Sequence, residues 1–180
     1  MKLIVWLGNP WKEYTTTRHN AGFLTLEHLA DQHAWTSFLY NKKFDADIAQ
    51  GMRKKRQIMA IKPQGYMNRS GDAVQKVMQF YQIAAEHTLV IHDELDIPAG
   101  TVKLKFNGGH GWHNGIRDII EKCGSPRFWR LRIGIGRPTH PAHNISDRVL
   151  SSMTESELSA LQASEKEITL RIDECMRNMG

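Results

Sequence analysis

Cysteine is scarce: Cys123 and Cys175 are the only two in 180 residues. Both fall on apolar positions of helical runs. They read as reduced core thiols, neither a disulfide framework nor a metal cluster. Long apolar runs are missing as well. Leu3-Ile4-Val5-Trp6-Leu7 is short of the ~20 residues that cross a bilayer, and Asn9-Pro10 stops it. No secretory signal and no membrane partner are expected, and the cytoplasm is the natural compartment. The chain has no Gly-x-Ser-x-Gly elbow and no cysteine in a site loop, which favours direct attack by water over a covalent intermediate. Neither phosphate-cradling glycine signature occurs, so residues 107–115, with four glycines among nine, are a weak match to a nucleotide loop. The helical His-Glu-x-x-His signature is absent too. Repeats, low-complexity tracts and long linkers are not found, and one domain over 1–180 is expected.

What is present is the balance of a globular protein: 41% hydrophobic and 24% charged residues are enough for a core. The net charge of +5 fits either a polyanionic partner or a merely basic surface, and the placement of the charges decides between them. Leu3-Ile4-Val5-Trp6-Leu7 is continuous, as expected of a strand buried on both faces. Phe23, Leu26 and Ala30 recur at helical spacing. Phe44, Ala46 and Ile48 alternate with polar residues as a half-exposed strand, 51–56 is a basic turn whose charges stay in water, and 58–61 is the next strand. Val74, Val77, Met78 and Tyr81 mark an amphipathic helix with Ser70 as its candidate N-cap. A strand at 88–91 runs into His92-Asp93. Thr154-x-x-Glu157 reads as a capping box, opening a closing helix over about 155–178 lined by Leu158, Leu161, Ile168, Ile172 and Cys175. Alternating strands and helices give an α/β fold of three layers, α/β/α, around a mixed, mostly parallel sheet.

Polar residues collect where such sheets bind ligands, beyond the strand ends. Asn9, Asn68 and Asp93 each lie within a few residues of the end of an apolar strand, and Asn114 opens the helix after the glycine-rich loop. His19 sits in Thr17-Arg18-His19-Asn20. A neutral imidazole can deprotonate water, a carboxylate can hold its tautomer, and amides can donate to an oxyanion. His110-x-x-His113 and His140-x-x-His143, with Asp93, are the alternative of a metal site, and loops give that spacing no fixed geometry. Lys103 and Lys105 share one face of a strand, as do Arg130 and Arg132 of another. If the faces coincide they form a phosphate-binding stripe.

In these stretches the chain resembles the bacterial peptidyl-tRNA hydrolase family. The resemblance rests on Leu7-Gly8-Asn9-Pro10 with Tyr14 and Thr17-Arg18-His19-Asn20, and on Lys62-Pro63 with Tyr66-Met67-Asn68-Arg69-Ser70-Gly71. It continues in His92-Asp93-Glu94-Leu95-Asp96-Ile97-Pro98, Gly108-Gly109, His113-Asn114-Gly115 and the run 130–138, in order to about Leu150. It implies hydrolysis of the ester joining peptide to tRNA, recycling tRNA from stalled translation, by a monomer with no metal and no cofactor. By position, it makes His19 the general base and Asp93 its orienting partner. Asn9 meets the peptide, Asn68 and Asn114 place substrate and water, and Tyr14, Tyr66 and Met67 line the cleft. Lys103, Lys105 and Arg132 hold tRNA phosphates. Trp6 and Trp11 stand where the family usually has glycine, Gly65 where it has threonine, and Trp112 where it has glycine beside His113-Asn114. An RNA-binding protein without hydrolysis on the same fold is the alternative, and a metal-dependent peptidase is a third reading, separated by its sensitivity to chelator.

Overall fold

The computed structural model describes residues 1–29, 35–140 and 142–180, apart from the side chains of Glu27 and His28. Ala30, expected to continue the first helix, lies outside the described residues. Seven strands form one sheet: β1 (Lys2–Trp6), β2 (Leu39–Asn41), β3 (Ala46–Arg53), β4 (Arg56–Pro63), β5 (Thr88–Glu94), β6 (Val102–Phe106) and β7 (Trp129–Gly134). Their order is β2-β3-β4-β1-β5-β7-β6. The centre is parallel, β4 with β1, β1 with β5 and β5 with β7, while β2–β3, β3–β4 and β6–β7 are antiparallel.

The expected double-sided burial of β1 is met residue by residue. Leu3 and Val5 pack with Val74 and Val77 of α2 (Ser70–Tyr81) and with Ile116 and Ile119 of α3 (Asn114–Cys123). Ile4 and Trp6 pack on the other face, against α1 (Ala21–Leu29), α4 (Ile145–Leu150), α5 (Glu155–Ala163) and α6 (Glu165–Asn178). Three layers result. Helix α1 starts so close to the sheet that a Cβ on Gly22 would fall 2.5 Å from the Leu7 carbonyl oxygen and 2.7 Å from that of Ile91. Only glycine lets the turn before it lie directly over β1 and β5.

Several expectations are corrected. The closing helix is two helices, because Ser164 turns its hydroxyl back to the Ala160 carbonyl (2.8 Å) and across to that of Gly100 (3.1 Å). Such back-bonding bends a helix. The capping box at Thr154 and Glu157 is present. Ser70 is the first residue of α2 and not its cap: its hydroxyl goes to the Met67 carbonyl, and the Gly71 N–H is capped from α3 by Asp118 at 2.8 Å. The basic turn is a hairpin with Lys54 and Lys55 at positive φ, and Arg53 is buried against Asp173 rather than in water. Phe44 lies in the turn before β3, not in the strand.

Candidate active site

Asn9 follows β1, His19 and Asn68 lie in the short 3-10 turns Arg18–Asn20 and Met67–Arg69, and Asn114 opens α3. After β1 the chain passes Asn9 and returns through the 3-10 turn Arg18–Asn20. Asn20 then locks the two passes together: its side-chain oxygen accepts from the Asn9 N–H (2.8 Å), and its amide donates to the Asn9 carbonyl (2.9 Å). The Asn9 side-chain oxygen accepts the Met67 N–H at 2.9 Å. Nδ2 is therefore the open group of Asn9, a donor.

Asp93 lies inside β5, fully buried, not in the loop beyond it. Its two carboxylate oxygens take two imidazoles: Oδ2 is 2.8 Å from His19 Nδ1, and Oδ1 is 2.7 Å from His113 Nε2. His113 is the N-cap of α3, with Nδ1 accepting from the Gly115 and Ile116 N–H groups. A nitrogen that accepts carries no proton, so His113 donates to Asp93 through Nε2–H as a neutral ring. Burial alone would raise the Asp93 carboxyl, but the two imidazoles outweigh it and hold the group well below the usual carboxylate range. Burial pushes His113 down, with the carboxylate opposing it. His92 on the far side of β5 is pushed well down by burial and by the neighbouring His113 ring, 4.8 Å away. With Nδ1 directed to Asp93, His19 keeps Nε2 for the cleft.

That cleft has a volume of about 510 Å³ and brings together Asn9, Tyr14, His19, Tyr66, Met67, Asn68 and Asn114, residues from four separate stretches. Its opposite wall is made by Trp112, the indole that stands where the family usually has glycine, and by Ile145, Val149 and Leu150 of α4, which the sequence did not reveal. The Trp112 ring stands 6.1 Å from that of His19 and 5.0 Å from that of His113. Asn20 was not singled out as the tie to Asn9, and His113 was set beside Asp93 only in the alternative of a metal site, not as its hydrogen-bond partner. A histidine immediately before a helix start was the available signal for the latter.

Of the two His-x-x-His pairs only His113 reaches Asp93, while His140 and His143 lie ring to ring, 5.4 Å apart, in another loop. His19, Asp93 and His113 offer ligand atoms within 4.8 Å of one another. Both nitrogens of His113 and both oxygens of Asp93 are already engaged in hydrogen bonds. The donor set fits a proton-relay cluster better than a cation.

The basic faces of β6 and β7 coincide. Lys103 stands opposite Arg132 and Lys105 opposite Arg130 across an antiparallel pair, which puts all four on one face. Arg130 is withdrawn from the stripe: it is buried, and its guanidinium holds the carbonyls of Gly108 and Gly109. Lys103 and Lys105 are exposed and Arg132 is half-buried.

The sequence profile of the family described as "Peptidyl-tRNA hydrolase" matches residues 3–179. A Bordetella petrii protein named peptidyl-tRNA hydrolase is 47% identical over 163 residues, covering 89% of this chain and 77% of the relative. A relative of the same name from Neisseria meningitidis is 50% identical over 139 residues, 77% of this chain and 71% of its own length. The crystal structure of peptidyl-tRNA hydrolase from Acinetobacter baumannii superposes with a TM-score of 0.87 at 39% identity, covering 99% of this chain and 94% of that one.

Proposed function

The chain belongs to the peptidyl-tRNA hydrolase family, and we propose that it hydrolyses the ester between peptide and tRNA in the cleft beside His19. The observation that carries the mechanism is the 2.8 Å contact of His19 Nδ1 with buried Asp93, which leaves Nε2 open to the cleft. His19 Nε2 takes a proton from a water as its oxygen attacks the ester carbonyl, and Asp93 stabilises the imidazolium. The tetrahedral oxyanion meets amide N–H donors from Asn68 and Asn114, which also place substrate and water. Collapse breaks the acyl–oxygen bond, and the leaving 3′-oxygen recovers the proton from the imidazolium. The products are a peptide carboxylate and a free tRNA end. Asn9 Nδ2 donates to a peptide carbonyl, and Tyr14, Tyr66 and Met67 hold the peptide. Lys103, Lys105 and Arg132 take tRNA phosphates. The protein works as one domain and as a monomer in the cytoplasm. Among the described residues no helix is long and apolar enough to cross a membrane.

The test is cleavage of N-acetyl-aminoacyl-tRNA by the purified protein, with and without EDTA. Turnover unaffected by chelator is expected. Chelator-sensitive turnover would establish a metal enzyme instead, and tRNA binding without cleavage would establish the non-catalytic alternative. Replacing Lys105 and Arg132 by alanine is expected to flatten the log–log salt dependence of tRNA binding by roughly 0.7–0.9 per lost phosphate contact.

A further inference from the structure

Trp11 and Tyr66 stack on one another at the lip of the cleft, ring centroids 4.2 Å apart and planes 32° from parallel. Trp11 is 36% exposed, with the Tyr14 ring edge-on to it at 6.4 Å, and Tyr66 is 57% exposed, so part of each ring face stands in water. Tyr66 lines the cleft on one side. On its other side, with Trp11, it lines a second groove of about 270 Å³. Gly65 keeps that groove open: a Cβ there would meet only Asp45 Oδ2 at 3.8 Å and Arg69 Cβ at 3.9 Å.

We infer that this stack and the groove behind it bind the part of the peptide farther from the ester, with a preference for an aromatic side chain. The inference rests on the cleft being the peptidyl-tRNA site. Sheet order gives the direction. The Lys103–Lys105–Arg132 stripe lies on the β7–β6 side of Asp93, whereas the groove opens beside Asp45 and Pro63, at the β3–β4 side. An ester held at His19 sends tRNA one way and peptide the other. Asn9, with its donor for the first peptide groups, is followed two residues later by Trp11, so one stretch of chain runs outward along that path. Charge points the same way. The groove sets Asp45 and Asp72 against Arg69 and Lys76, with Arg69 already paired to Asp72. With two carboxylates and two cations the lining has no excess of positive charge to gather phosphates, and it offers both donors and acceptors to a polar peptide backbone. An aromatic platform needs only a flat or apolar side chain to lie on it.

The experiment is a ladder of N-acetylated esters on one tRNA, one to four residues long, with glycine or phenylalanine at each position upstream of the ester. In the parent, kcat/KM rises roughly 2–10-fold when phenylalanine reaches the platform, the usual worth of an aromatic pair. Trp11→Ala brings that phenylalanine-to-glycine ratio to about 1, and Trp11→Phe restores part of it. Gly65→Leu, placed in open space, removes the gain from longer peptides at an unchanged melting temperature. The same ratio in parent and Trp11→Ala overturns the inference. So does a loss common to every ester, the shortest included, with a flatter salt dependence, which would mark the stack as an RNA contact. Failure of the parent to cleave even the shortest ester would remove the underlying reading, and the inference with it.

Discussion

The carboxylates of Glu157 and Asp93 each hold two basic side chains, and neighbouring residues of one turn are shared between them. Arg18 goes to Glu157, which also takes Arg148 and the Thr154 N–H. His19 goes to Asp93, which also takes His113. Around Glu157 every partner is a permanent donor. Arg18 lays two nitrogens on it at 3.0 and 2.9 Å and spends a third on Ser151, and a guanidinium has no lone pair to offer afterwards. Around Asp93 the partners are imidazoles, and one of them keeps a second nitrogen for the cleft. One arrangement is a clamp and the other can pass a proton. The difference lies in whether the partner can lose a proton, since burial is similar at the two arginine- and histidine-bearing positions.

The largest test of this contrast removes the imidazole. His19→Ala is expected to lower kcat by ~10²–10⁴-fold, the usual worth of a general base, with thermal unfolding essentially unchanged. Near-parental turnover would show that the imidazole at Asp93 is as structural as the guanidinium at Glu157. Asp93→Asn should cost less than removing the base. Its amide must meet one of the two ring N–H donors with an N–H of its own, which disturbs the tautomer. The pH–rate profile is the check, and a profile superimposable on the parent's would end the orienting role.

At the clamp the readout reverses. Glu157→Gln leaves Arg18 and Arg148 short of a charge partner in a site where Arg18 is 6% exposed. A loss of about 3 kcal/mol in urea unfolding is expected, toward the low end for an opened buried pair, with kcat/KM changed less than in His19→Ala. The mechanical link is the Thr17–Ser152 bridge and the Arg18 N–H to the Ser151 carbonyl (3.1 Å), through which the C-terminal segment pins the turn. A rate loss as large as that of His19→Ala with no loss of stability would invert the assignment.

How much of this was legible follows from the distance over which each feature is encoded. The double burial of β1, the apolar face of α2 at Val74 and Val77, and the lysine face of β6 are written in local period, and all three appear where that period puts them. Asn9, Asn68, Asn114 and His19 do converge on one cleft, because each follows or opens an element whose end the sequence marks. The rest depends on contacts no period carries. Arg18 meets Glu157 across 139 positions. Asp93 meets His113 across 20. Helix α4 becomes a cleft wall through tertiary placement, and its six residues offer too little pattern to announce it. Arg130 alternates like Arg132 yet turns inward, since the open backbone of Gly108 and Gly109 offers it carbonyls.

The smallest test separates the two centres by acid alone. His92 and His113 are both fully buried and pushed below their ordinary value of 6.5, first by desolvation. In the unfolded chain both take up protons as pH falls through 6.5, while in the fold they resist, so the unfolded state binds more protons. Stability is therefore complete above 6.5 and declines below it, by up to about 1.4 kcal/mol per pH unit for each histidine. Glu157 behaves differently. Burial opposes its ionisation, but Arg18, Arg148 and the Thr154 N–H hold it below its ordinary value of 4.5. Its contribution is present above 4.5 and is lost only as pH falls further. Between pH 7 and 5, then, only the imidazole side of the comparison responds. His92→Gln, which removes one of the two buried rings, should reduce the slope of unfolding free energy against pH in that window. Glu157→Gln should lower the whole curve and leave its slope alone. Urea unfolding at pH 7, 6 and 5 for the three proteins decides it. A flat parental curve, or equal slopes in parent and His92→Gln, would show that the His92 ring does not carry the resistance.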